Sequence, residues 1–173
     1  MMPGLHSQTP LILLKIDTMS YTFSPTELPR RDPRGNVAPA GRPVIRVLVA
    51  EDVRVLRDTL VELLSLEEDI DVVASLATGD RIVPAALEHS PDVALLDIDL
   101  PEVDGVDAAA ELAERAPACH ALILTGMATP DNLRRAVAAG VSGFMLKDGP
   151  ADSLIGAIRA VARGERLIGS HPV

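Results

Sequence analysis

Between residues 44 and 164 one pattern recurs five times: a short apolar run rich in Val, Ile and Leu, then a run with helical periodicity. The apolar runs are "VIRVLVA" (44–50), "IDVVASL" (70–76), "DVALLD" (92–97), "HALILT" (120–125) and "SGFMLK" (142–147). Between the first two, "VRVLRDTLVELLSL" (53–66) puts Leu56, Leu60, Leu63 and Leu64 on one helical face. "DRIVPAALEH" (80–89) is a shorter helix, limited in its first part by Pro84. "VDAAAELAER" (106–115) is the third. In the fourth, Thr129 is placed to cap, Pro130 suits the first helical position and Gly140 suits the exit. "ADSLIGAIRAVARG" (151–164) turns Leu154, Ile158 and Val161 inward and ends at Gly164.

Strands alternating with helices across short loops require parallel pairing and right-handed crossovers, with helices on both faces. The expected fold class is α/β, a doubly wound five-stranded (βα)5 sheet in the order 2-1-3-4-5. In such sheets chemistry sits beyond the carboxyl ends of the strands, where the strand order reverses.

Composition agrees with that fold. Apolar residues make up 47% and aromatics 2% of 173 residues, so the core is built from Val, Leu, Ile and Ala. Net charge is −9, yet residues 1–43 carry +2 and the remainder −11. An acidic domain of this kind repels nucleic acid, so no direct nucleic-acid contact is expected. One cysteine, Cys119, allows no internal disulfide, which fits a reducing cytoplasm. No apolar run reaches the ~20 residues of a membrane span. "PLILLKI" is interrupted by Lys15 and is not read as a signal peptide. Seven of the 14 prolines fall in residues 1–43, which read as a disordered leader or linker.

The strand ends carry a coherent set of side chains. Strand one ends in Glu51 and Asp52, strand three in Asp97, strand four in Thr125 and strand five in Lys147. Three clustered carboxylates repel one another unless a cation joins them. A hard divalent ion such as Mg²⁺ suits oxygen ligands, with Asp52 binding directly and Glu51 directly or through water. The Asp99 backbone carbonyl offers another oxygen. Asp97 is placed as an in-line nucleophile for a phosphoryl group, and Thr125 and Lys147 would neutralise its oxygens.

"VLVAED", "LLDIDLPEVDG", "LILTG" and "GFMLKD" resemble the motifs of the response-regulator receiver domain of two-component signalling. Asp52 and Asp97 lie 45 residues apart, Asp97 and Thr125 28, and Thr125 and Lys147 22, within that family's pattern. The resemblance implies a flavodoxin-like fold, with Asp97 as phosphoacceptor and Glu51, Asp52, Asp97 and the Asp99 carbonyl around Mg²⁺. It further implies Thr125 and Lys147 as phosphate-binding switch residues and Phe144 as the switch aromatic. The implied partners are a sensor histidine kinase and, on phosphorylation, a second copy of the chain. The segment from Gly140 to Ile168 is most similar to receivers of LuxR-type transcriptional regulators. The expected domains are a leader (1–43), a receiver (44–164) and a linker remnant (165–173), with no DNA-binding domain present.

Two other readings compete. Asp97-Ile98-Asp99 also resembles the D-x-D of haloacid-dehalogenase-type phosphatases, with Asp99 as acid/base. Against it, Leu-Pro follows where Gly-Thr or Gly-Val is usual. A receiver-like interaction module that is not phosphorylated is the other. Among the remaining residues, Asp104 is expected to start the third helix, and Arg134 and Arg135 to form a solvated face. His6, His89, His120, His171 and Cys119 lack metal-ligand spacing.

Overall fold

The computed structural model describes residues 43–168. The leader, apart from Pro43, and the last five residues lie outside the described residues. Five parallel strands form one sheet in the order β2-β1-β3-β4-β5. The strands are β1 (Ile45–Ala50), β2 (Ile70–Leu76), β3 (Val93–Leu96), β4 (His120–Thr125) and β5 (Gly143–Leu146). The helices are α1 (Arg54–Ser65), α2 (Ile82–His89), α3 (Gly105–Arg115), α4 (Pro130–Ala138) and α5 (Ala151–Ala162). This is the doubly wound order expected from the sequence.

Period-two alternation divides the apolar side chains between two cores. Leu48, Ala50, Ala94, Leu96, Ala121 and Ile123 join one core with residues of α2 and α3. Val47, Val49, Val93, Leu95, Leu122 and Leu124 join the other with residues of α1 and α5. Because both faces are covered, these strands read as continuous apolar runs. Arg159 of α5 ties that helix to the α1–β2 connection, reaching Glu67 at 2.7 Å and Asp69 at 2.7 and 2.8 Å.

Three local departures have physical causes. Residues Gly79–Arg81 form a 3₁₀ turn ahead of α2 instead of its first turn. Starting the α-helix at Ile82 leaves Pro84 in the first turn, where its missing N–H costs no intrahelical bond. α4 buries only Ala136, and Leu133 and Val137 stand exposed on it. Beyond Gly164 the chain turns back onto the domain. Leu167 N–H donates to the Ser142 carbonyl at 2.7 Å, and Leu167 and Ile168 pack against the two cores.

Candidate functional site

The sheet ladder continues one residue past the strand ends, and that step positions the chemistry. Asp97 N–H donates to the Ala50 carbonyl at 2.9 Å, Glu51 N–H to Leu76 at 3.0 Å and Lys147 N–H to Thr125 at 2.8 Å. Side chains far apart in the chain are thereby brought to one rim. Glu51, Asp52 and Asp97 each offer a carboxylate oxygen within 4.8 Å of the others. Lys147 Nζ lies 2.7 Å from Glu51 Oε2 and 3.0 Å from Asp97 Oδ2. Glu51, Asp97 and Thr125 are buried, whereas Asp52 and the Asp99 side chain are exposed.

The loop after β3 is shaped by close backbone approach. A Cβ on Gly105 would stand 1.8 Å from the Asp97 carbonyl oxygen, so only glycine fits. Gly105 N–H donates to Ile98, and Asp104 caps α3 by accepting from Val106 N–H at 2.8 Å. The Thr125 hydroxyl is engaged with Met127, donating to its carbonyl and accepting from its N–H, both at 3.2 Å. Phe144 is partly buried and packs against the core that contains Ala136 and Val141.

Electrostatics separate the two partners of the central ion pair. Burial pushes the Glu51 carboxyl above its ordinary value, although Lys147 and the Val53 N–H pull it down; Asp97 raises it further. Burial alone would lower the Lys147 ammonium, but its contacts with Glu51 and Asp97 outweigh that and hold it above its ordinary value. With every carboxylate ionised, three acids face one ammonium, a surplus of two negative charges that a divalent cation would balance. Oxygens sharing one Mg²⁺ lie at most about 4.2 Å apart, close to the spread here, and all the donors are hard. The residues therefore fit the ion.

Residues 47–159 match the family model of the response regulator receiver domain. The chain belongs to that family. Transcriptional regulatory protein DesR of Bacillus subtilis (strain 168) is 40% identical over 124 residues, 72% of this chain and 61% of DesR. Transcriptional regulatory protein DegU of Brevibacillus brevis is 33% identical over 128 residues, 74% of this chain and 53% of DegU. The chain thus spans 53–61% of the length of these two relatives. The signal receiver domain of the putative response regulator NarL from Mycobacterium tuberculosis superposes with a TM-score of 0.68 at 30% identity. That match covers 70% of this chain and 98% of the NarL domain. A LuxR-family DNA-binding response regulator from Staphylococcus aureus gives 0.66 at 27%, covering 69% and 99%. The receiver is of the kind found in LuxR-type two-component regulators.

The receiver brings Glu51, Asp52, Asp97 and Lys147 together on one rim. The Asp99 carboxylate is not part of the acidic group found among the described residues. Two arginines hold positions that periodicity does not reveal. Arg135, expected on a solvated face, reaches across to Asp104 at 2.9 Å. Arg57 Nη1 donates to the Glu51 carbonyl at 2.8 Å. Arg134 fits the solvated reading, being exposed and, among the described residues, paired only with Asp131 on its own helix. Among the described residues no helix is long and apolar enough to cross a membrane.

Proposed function

We propose that Asp97 accepts a phosphoryl group from the phosphohistidine of a sensor histidine kinase. The reading rests chiefly on one observation: a buried Asp97 carboxylate shares Lys147 with Glu51 and stands in one acidic group with Glu51 and Asp52. An Asp97 oxygen attacks phosphorus, the P–N bond breaks, and the departing imidazole nitrogen keeps the electron pair and takes a proton from water. Glu51, Asp52, Asp97 and the Asp99 carbonyl would hold Mg²⁺, which when bound would neutralise charge on the phosphoryl oxygens. Lys147 exchanges its bond to the free Asp97 carboxylate for one to a phosphoryl oxygen. Thr125 releases Met127 and donates to a second.

That movement of Thr125 draws Phe144 inward and changes the surface of α4, β5 and α5. Two populations suffice, with the phosphorylated one favoured by the new contacts. A homodimer is its expected readout, and transcription is the output of a longer parent protein. Residues 44–164 act as the receiver unit, between a leader (1–43) and a linker (165–173), in the cytoplasm. The domain is a phosphoacceptor that assists its own phosphorylation and dephosphorylation.

Acetyl phosphate with Mg²⁺ should add one phosphoryl group by intact mass, and Asp97→Asn should abolish the gain. No gain in the wild-type chain would favour an interaction module that is not phosphorylated. Sedimentation with and without beryllofluoride tests the dimer, and identical profiles would remove it.

A further inference from the structure

The two members of the acidic pair are held differently. Glu51 is fixed at four atoms. Its N–H donates to Leu76, and its carbonyl accepts from Arg57. One carboxylate oxygen accepts from Val53 N–H at 3.1 Å, and the other meets Lys147. Asp52 is exposed, and its carboxylate has no hydrogen bond or ion pair among the described residues. Its place beside Glu51 and Asp97 therefore depends on its backbone. The nearest side-chain restraint on that backbone is Arg57, whose Nη1 lies 2.8 Å from the Glu51 carbonyl and 3.5 Å from that of Asp52. Arg57 sits near the start of α1, and its own N–H donates to Val53 at 2.9 Å. The side chain thus closes a loop over the turn that carries Asp52.

We propose that Arg57 is a positioning residue of the metal site, holding the Glu51–Asp52 turn so that the Asp52 carboxylate stands ready for a divalent cation. The inference rests on the Mg²⁺ reading of the site. Arg57 touches neither phosphoryl group nor metal; it acts through backbone carbonyls. Charge and position pull in opposite directions here. A guanidinium near the site repels a cation, so an arginine acting only by charge would tighten Mg²⁺ binding when removed. An arginine that orders a ligand loosens binding when removed, as loss of outer-shell partners does by roughly 10–100-fold.

Isothermal titration of Mg²⁺ into the full chain separates these cases. Arg57→Ala and Arg57→Gln should each weaken Mg²⁺ binding by about tenfold, the lower end of that range because the contact is indirect. Arg57→Lys, which keeps a charged donor on a stem longer than that of glutamine, should fall between them and the wild type. With acetyl phosphate, the Mg²⁺ concentration giving half the maximal rate should rise similarly, while the rate at saturating Mg²⁺ stays within about twofold. Circular dichroism in EDTA establishes that each variant is folded, and Arg57→Gln retains the packed stem should the alanine variant collapse. A folded variant with unchanged or tighter Mg²⁺ binding, beside a responsive wild type, overturns the role of Arg57 alone. A wild-type chain that binds no Mg²⁺ overturns the metal reading and this inference with it.

Discussion

Arg135 of α4 grips Asp104, the cap of α3, at two points: Nη2 lies 2.9 Å from Oδ1 and Nη1 3.4 Å from Oδ2. Asp104 thus serves two elements, since the same Oδ1 accepts from the first N–H groups of α3. Arg135 also lies 3.6 Å from Asp107. The pair joins the loop behind Asp97 to the helix with the fewest buried side chains.

Its two functions separate by substitution. Arg135→Ala should cost less than about 1 kcal/mol, because both side chains are partly in water. Asp104→Ala should cost about 1 kcal/mol more, because the cap is lost as well. Asp104→Asn keeps a capping oxygen and should resemble Arg135→Ala. Urea melts of the singles and of the double variant give the coupling; a cycle with no coupling would remove the ion pair from the account.

Lys147 is the only cation in contact with the buried Glu51 and Asp97 carboxylates among the described residues. Lys147→Ala should destabilise the metal-free chain by about 3 kcal/mol, since two carboxylates stay buried without it. Added Mg²⁺ should raise the melting temperature of this variant more than that of the wild type. Equal shifts would mean that the ammonium and the ion do not share the same carboxylates.

Two glycines predict opposite signs. Gly105→Ala drives a methyl group into the Asp97 carbonyl and should destabilise by at least about 1–3 kcal/mol. Gly156 lies within α5 with nothing within 4 Å of the position a Cβ would take. Gly156→Ala should therefore stabilise by about 0.5–1 kcal/mol. Thermal melts of both variants check the contrast.

Cys119 is buried, and burial, reinforced by the charge of Asp92, pushes its thiol up to about 12. From its ordinary value near 9.0 to about 12, the unfolded chain gives up this proton while the folded chain keeps it. Stability should fall as pH rises through that window, by at most about 1.4 kcal/mol per pH unit. Cys119→Ala should flatten the alkaline slope. Iodoacetamide at pH 8 should label the native thiol far more slowly than the urea-unfolded one, and equal rates would contradict the burial.

The elements of the fold were legible because the strands are short, mostly apolar runs and the helices carry a spaced apolar face, except α4, which is marked by its caps Thr129, Pro130 and Gly140. The site was legible for a related reason. Parallel pairing aligns the carboxyl ends, so Glu51, Asp97 and Lys147 share a rim once the strand order is known. Asp104 was readable from the Asp-Gly that opens α3. Side-chain partners between helices were not. Whether Arg135 meets Asp104 or water depends on how α4 lies against α3, and periodicity carries no information about that angle. The same holds for Arg57, whose acceptors are backbone carbonyls with no residue-type signature. Lys147 was readable as a member of the rim, whereas its ion pair with Glu51 was not.

The seating of Leu167 against Ser142 has a geometric result. Ser142 precedes β5 at one end, and Lys147 follows it at the other. At about 3.3 Å per residue, the five steps from Ser142 to Lys147 along this edge strand span about 16 Å between the point where Leu167 is pinned and the acidic rim. Leu167 therefore sits at the end of the sheet opposite the acidic rim.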